Sequence, residues 1–452
     1  MLRKFLYANF RLAYRLSRYA RSRFTPGGQL ILGTLVFSGI FGFDTRQTLA
    51  FQIFSLCVSL LLIAFFTSLM FRGNLLVRRL LPEFGTVGHP LKYKVLIDNR
   101  GKHPQRDLVL LDELHEDLPD QKDFFAARDP EDAGRNWFDR VVGYPRLVSM
   151  IEQRRGASIA PTPIADLAPG DNAEILVELQ PIRRGYLRFN AAKIARPDPL
   201  GLMQAVRKNS LPDTLLILPS LYRVPLLKLP GGRKYQQGGL TSVNSLGDSQ
   251  EFISLRDYRP GDPLRSIHWR SYAKLGRPVV KEFQNEFIVR QGLVLDTFIE
   301  NGSAQVFEDA VSLAASFAHT LTRGSFDSLL DLMFVGARAY RFTTGRGVAE
   351  PESMLEILAC VEPCRDQSFQ LLRDLVQRHV GETSGLICIF VKWDEQRRAL
   401  LEHLLAAALP VYVFMVQRGS ETVDPGAAIT ASCRFVNMNC GAIQEQLDQL
   451  DG

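Results

Sequence analysis

Between Ser249 and Glu286 the chain gathers the residue types that chemistry uses: Glu251, Phe252, Arg256, Asp257, Tyr258, Gly261, Asp262, Arg265, His268, Trp269 and Lys274. Two Asp and a His are the parts of an acid–base hydrolase, which needs a carboxylate and an imidazole converging on one bond. No nucleophile–base pair or metal-ligand spacing falls inside the stretch. The chain has no GxSxG elbow, no HExxH and no GxxxxGK[ST] loop. His268, beside Trp269, reads more simply as a packed or hydrogen-bonded structural residue. Pro260-Gly261 demands a turn, and Arg256 and Arg265 with Asp257 and Asp262 suit a bidentate ion-pair network that pins it. Arg and Trp are enriched where interfaces concentrate their energy. A packed, specific surface is therefore the expectation, and a solvated charged loop the plainer alternative.

The stretch lies where two differently patterned halves meet. From Gln291 onward, apolar runs at Gly292–Asp296, Leu329–Val335, Leu386–Val391 and Pro410–Val416 alternate with helical spacing at Ser303–Arg323, Glu350–Val361, Phe369–His379 and Glu395–Ala408. A short run at Arg434–Met438 and a helix at Ala442–Leu450 close the chain. Continuous apolar strands between amphipathic helices predict an α/β unit with a mostly parallel sheet over 291–452. Ligands of such sheets sit beyond the carboxyl ends of the strands, which places Asp296 and Asp394 at a site edge.

Upstream, over 72–220, the period changes to two. Leu91–Ile97, Asp107–Leu114, Ala173–Leu179, Gly185–Phe189 and Thr214–Pro219 read as short strands between polar turns, and predict a β-sandwich. His115–Ala168 shows weak periodicity and is expected to be a long loop or insertion. Residues 221–290 form the connecting segment.

The N-terminus reads as a membrane anchor. Residues 1–28 hold Arg3, Lys4, Arg11, Arg15, Arg18, Arg21 and Arg23 and no acid, which accounts for the whole net charge of +6. Phe5, Leu12, Leu16 and Tyr19 form one helical stripe and Arg11, Arg15 and Arg18 another, as in a helix lying against anionic headgroups. Two uncharged runs follow, Gln29–Phe43 and Leu49–Phe71, separated by Asp44–Gln47. About twenty residues cross the hydrocarbon layer. Basic flanks at both outer ends predict a two-span hairpin over 29–71, with both ends cytoplasmic. The bulk of the chain then faces the cytoplasm of an inner membrane. Six cysteines without close pairing suit a reducing compartment. A basic charge confined to one terminus argues against nucleic acid as a partner.

Glu251-Phe252, Leu255-Arg256, Tyr258, Gly261-Asp262, Arg265, Ile267 and Trp269, with the following Ala273-Lys274, resemble the signature of the bacterial "domain of unknown function 58" family. Arg184-Gly185-Tyr186 and Asp198-Pro199-Leu200-Gly201-Leu202 resemble further elements of it. The resemblance implies a membrane hairpin, a β-rich region, and a doubly wound C-terminal domain similar to von Willebrand factor type A. It also implies an adaptor role beside a MoxR-type AAA+ ATPase; no enzymatic activity is established for the family, and no cofactor is expected. Type A domains often hold a divalent ion through D-x-S-x-S and a later Asp. Here Asp296 and Asp394 match the two aspartates, but Phe298 and Glu300 stand where the serines would be, and Phe cannot ligate a hard cation. The resemblance thus implies a retained fold with a degraded metal site. A hydrolase using Asp257, Asp262 or His268, and a metal-dependent ligand binder, are the alternatives to the adaptor.

Overall fold

Strands with one wet face must alternate buried and exposed residues, and the strands of the first half do so. The computed structural model describes residues 2–41, 49–71, 73–126, 136–137, 143–225, 235–236, 250–262, 264–285, 287–299, 304–324, 328–345, 351–419, 422–426 and 432–450. The chain divides into two compact units, 1–220 and 221–452.

In the first unit three helices precede the sheets: α1 (Leu2–Arg23), α2 (Pro26–Phe41) and α3 (Leu49–Leu69). At a rise of about 1.5 Å per residue, α3 spans about 31 Å, enough for a hydrocarbon layer. It is the one described helix long and apolar enough to cross a membrane. The polar turn Asp44–Gln47 lies outside the described residues.

The β part holds β1 (Leu75–Leu80), β2 (Phe84–Thr86), β3 (Leu91–Asn99), β4 (Leu108–Leu114), β5 (Ala157–Ile159), β6 (Thr162–Ile164), β7 (Asn172–Pro181), β8 (Gly185–Pro197) and β9 (Gln204–Leu218). One sheet has the order β1-β3-β7-β5 and the other β2-β9-β8-β4-β6. Their inner faces share one core, with Tyr93, Val95, Ile97, Val177 and Leu179 from the first sheet and Leu110, Leu187, Ile194, Leu215 and Ile217 from the second. Arg79 and Asp112 pair inside it, at 2.5 and 2.9 Å, and the Tyr93 hydroxyl donates to Asp112 at 2.6 Å. A buried pair survives when its remaining lone pairs are satisfied in this way.

Two expectations need correction here. The segment 115–168 is not simply a loop. It contains α4 (Gln121–Ala126), α5 (Tyr144–Arg155), β5 and β6. α5 packs Leu147 and Ile151 against Phe124 and the α1 tyrosines Tyr7 and Tyr14, so a core forms without any long periodic run. The second correction concerns β8 and β9, which run well past Phe189 and begin well before Thr214. They pair as one long antiparallel hairpin closed by residues 198–203. The polar half of β9, Arg207–Asp213, carries no apolar alternation to announce it.

The second unit begins with β10 (Tyr235–Gln236), then a ribbon of β11 (Gln250–Asp257) and β12 (Val279–Asn285) with α6 (Trp269–Leu275) between them. The main sheet follows: β13 (Phe287–Leu295), β14 (Ser328–Val335), β15 (Ala339–Thr344), β16 (Gly385–Phe390), β17 (Val411–Gln417) and β18 (Cys433–Asn439). Its main path is β15-β14-β13-β16-β17-β18, parallel except for the antiparallel edge strand β15, and off this path the short β10 pairs antiparallel with the start of β13.

The helices are α7 (Ala304–Gly324), α8 (Pro351–Ala359), α9 (Gln370–His379), α10 (Glu395–Ala406) and α11 (Ile443–Asp448). All six residues of β16 are buried. Leu386, Cys388 and Phe390 meet Leu372 and Leu375 of α9 and Leu400 and Leu404 of α10. On the other face, Phe317 of α7 packs on Phe414 with ring centroids 4.9 Å apart. Strands covered on both faces read as unbroken apolar runs, which is why this unit is visible in the sequence.

Candidate functional site

The charged stretch folds as the β11–β12 ribbon with its connecting turn and helix. Ile267 bridges back to Val280, and the His268 N–H donates to Val279 O at 2.8 Å, which ties the connection to β12. Glu251 and Phe252 lie on β11, paired with Gln284 and Phe283; their side chains lie outside what the structure describes.

Arg256 grips Asp262 through both guanidinium nitrogens at 2.8 and 2.7 Å, and the Arg259 N–H donates to the same carboxylate at 2.8 Å. The Arg256 guanidinium and the Arg259 N–H hold the Asp262 carboxyl down at about 2. Gly261, at φ 108°, turns the chain beside it. Half of the expected network is therefore present. Asp257 pairs instead with Arg277 at 3.1 Å, and Arg265 sits exposed on the short turn Leu264–Ser266. The Tyr258 N–H donates to Pro278 O at 3.0 Å. His268 stands just before α6, and its Nδ1 shares a 2.7 Å hydrogen bond with Ser271 Oγ. Asp257, Asp262 and His268 thus each serve a different local contact and do not converge on one point.

What the ribbon presents outward is apolar and cationic. Leu264, Trp269, Tyr272 and Leu275 are exposed, at 67, 62, 41 and 56 %. Trp269 and Tyr272 pack edge to face at 6.0 Å. Exposed Arg265, Arg270 and Lys274 lie among them.

A second locus lies at the carboxyl end of β13, where the strand order reverses between β13 and β16. Crevices at such points hold the ligands of open α/β sheets. Asp296 is fully buried there, and its N–H donates to Ile389 O at 2.9 Å. Arg397, from the first turn of α10, bonds both of its oxygens, Nε to Oδ2 at 3.0 Å and Nη2 to Oδ1 at 3.1 Å. The Arg397 Nη1 donates to Asp394 at 2.7 Å, and Asp394 caps α10 through the Arg397 N–H at 3.1 Å. The guanidinium lies 4.1 Å from the Phe369 ring centroid, a stacking geometry that favours a desolvated cation. Burial pushes the Asp296 carboxyl up, against the pull of Arg397 and of the Phe298 N–H.

The structure thus brings together the two aspartates singled out from sequence, but around a protein cation. A divalent ion does not fit this arrangement. Both Asp296 oxygens already accept from Arg397, the Phe298 N–H donates to one of them at 3.0 Å, and among the described residues no three His, Cys, Asp or Glu side chains gather. Sequence reading missed Arg397. The available signal was its position three residues after Asp394, which puts both on one helical face. Beside it a shallow depression of about 670 Å³ is lined by Phe298, Ile299, Cys364, Arg365, Gln367 and Lys392.

Residues 254–383, from the ribbon through α9, match the family model described as "Protein of unknown function DUF58". The chain is also similar to "Uncharacterized protein YeaD" of Bacillus subtilis (strain 168), with 26% identity over 184 residues, covering 40% of this chain and 44% of that protein. The match therefore spans less than half of that relative. Among solved structures, an aerotolerance-related membrane protein from Bacteroides fragilis matches at 14% identity and a TM-score of 0.23, over 36% of this chain and 87% of that one. Proximal thread matrix protein 1 from the mussel byssus matches at 9% identity and a TM-score of 0.27, over 36% and 44% of the two chains. Likenesses at this level carry no argument about function.

Proposed function

We propose that this chain is a membrane-anchored scaffold or adaptor whose ribbon docks a protein partner, a MoxR-type AAA+ ATPase being the partner that the family resemblance implies. The observation behind this reading is the ribbon surface itself. A Trp–Tyr pair and two leucines stand exposed on a turn and short helix held by a bidentate Arg256–Asp262 pair, with three cations around them. Exposed aromatic residues on a rigid support, interleaved with Arg, are the composition of an interface centre.

The anchor is the two-span hairpin of α2 and α3, which pack against each other. Their apolar composition and the basic flanks support a cytoplasmic position for the remainder. The second unit is a doubly wound domain similar to von Willebrand factor type A. A six-stranded order with one antiparallel edge strand, and helices on both faces, supports that reading. In it, Arg397 stands where the divalent ion of such domains would otherwise balance the aspartates.

Replacing Trp269 and Arg265 together by Ala should abolish co-purification with a MoxR-type ATPase. Undiminished co-purification of a folded double variant would remove the ribbon from the interface.

A further inference from the structure

Helix α1 has two apolar faces, and the first unit covers one of them. On the covered face Tyr7 and Tyr14 are buried with Phe10 against Phe124, Tyr144, Leu147 and Ile151. The Tyr7 hydroxyl donates to Pro119 O. At the end of that face Arg18 bonds Glu113 at 2.7 Å and also Glu116, while Arg155 holds Glu116 at 2.7 Å. The opposite face carries Leu12, Leu16 and Tyr19, at the i, i+4, i+7 spacing of a single stripe, 56 to 62 % exposed. Arg15 is exposed beside it, and the Arg23 guanidinium lies 6.0 Å from the Tyr19 ring. No acidic residue occurs anywhere in α1.

The position of this stripe is set by the chain itself. Two residues after α1, the apolar helix α2 begins, and Phe24 between them pairs with Met203. Phe24, Ile31, Leu60 and Ala64 share a cluster with Leu202 and Met203. The C-terminal end of α1, the start of α2 and the later half of α3 are thus fixed to one edge of the β part. An uncovered apolar stripe, edged by cations, runs out from that point.

We propose that α1 lies in the headgroup plane of a bilayer containing anionic lipids, its inner face held by the β part and its outer stripe of Leu12, Leu16 and Tyr19 immersed at the acyl boundary. This rests on the reading of α2 and α3 as the anchor. Amphipathic helices of this composition sit about 5–10 Å into the boundary region. Each exposed Arg adds attraction to an anionic surface, and Tyr is at home where one end of the ring is wet. The ion pairs of Arg18 keep one cation of the helix on the protein and leave Arg15, beside the stripe, for lipid.

The test uses the full chain reconstituted in vesicles of phosphatidylcholine and phosphatidylglycerol. Leu16→Trp adds an emitter to the outer stripe and Leu62→Trp one to the middle of α3. The emission added by Leu16→Trp should be quenched about twofold or more by lipids brominated near the carbonyl end of the acyl chain, as for a group at the acyl boundary. That added by Leu62→Trp should respond instead to lipids brominated near the chain end. Quenching at Leu62→Trp without any at Leu16→Trp overturns the placement of α1 alone, and leaves the stripe to a protein partner or a second copy. Quenching at neither position overturns the anchor as well.

Discussion

Arg397 joins the two aspartates of the degraded metal site into a closed ion-pair group. Asp296 is completely buried, so its charge is tolerated only while the guanidinium stays on it. Arg397→Met should lower the unfolding free energy by about 3–5 kcal/mol, because a carboxylate is stranded in the interior. Adding Asp296→Asn should recover a large part of that loss, and urea unfolding of the three chains measures both steps. If the guanidinium were incidental, the single and double variants would unfold alike. At this scale the sequence was half legible. Asp296 and Asp394 stood out because each follows an apolar strand. Arg397 looked like one more cation on an amphipathic helix, since nothing in a one-dimensional pattern says that this part of the helix turns inward. The same holds for Asp262. Its neighbours Pro260 and Gly261 announced a turn, but which of Arg256 and Arg265 would reach it depended on how β11 enters the turn.

The turn Asp198–Met203 is the clearest case of an element whose role emerges only in three dimensions. Its sequence reads as an ordinary turn. Folded, Asp198 accepts from the N–H groups of Leu200, Leu202 and Met203 at 3.0, 2.7 and 2.6 Å, and Gly201 takes φ 64° to close it. The Thr25 hydroxyl donates to Gly201 O at 2.5 Å, and Gly28 passes so close that a Cβ would lie 1.8 Å from Leu202 O. That contact is with backbone and cannot swing aside. Gly28→Ala should therefore cost about 1–3 kcal/mol, seen as a lower melting midpoint in detergent and faster tryptic cleavage after Arg23. Gly33→Ala, with nothing within 4 Å of the added carbon, should leave both unchanged. The strands of the second unit were legible because burial on two faces writes an apolar run into the sequence. The ribbon strands β11 and β12 were not, because charged residues interrupt them and their partner is each other.

Over the whole molecule, the first unit is built from pieces that the sequence presents as separate: a basic helix, two apolar helices and a set of alternating strands. The boundary after residue 220 encloses them together, since Tyr7 and Tyr14 complete a core with Leu147 and Ile151. Long-range packing of this kind leaves no periodic trace, and this is why the β part looked like a domain that starts after the anchor. A fragment beginning at residue 73 should consequently be incomplete. It bares Leu202 and Met203 at one place and Phe124, Leu147 and Ile151 at another. Strong binding of a hydrophobic dye, together with self-association in sizing experiments, is the expected behaviour. A well-behaved monomer that ignores the dye would show that the helices contribute little to the unit.

The hydrogen bonds from Thr25 to the Gly201–Leu202 backbone have a bearing on direction as well as on strength. A cargo domain on a loose leash samples every heading above its membrane. A β part bolted at the start of α2, and again along α1, has no such freedom. With α2 and α3 in a bilayer, its pitch and roll are set at the moment of folding, and every copy in the same membrane points the same side toward whatever approaches.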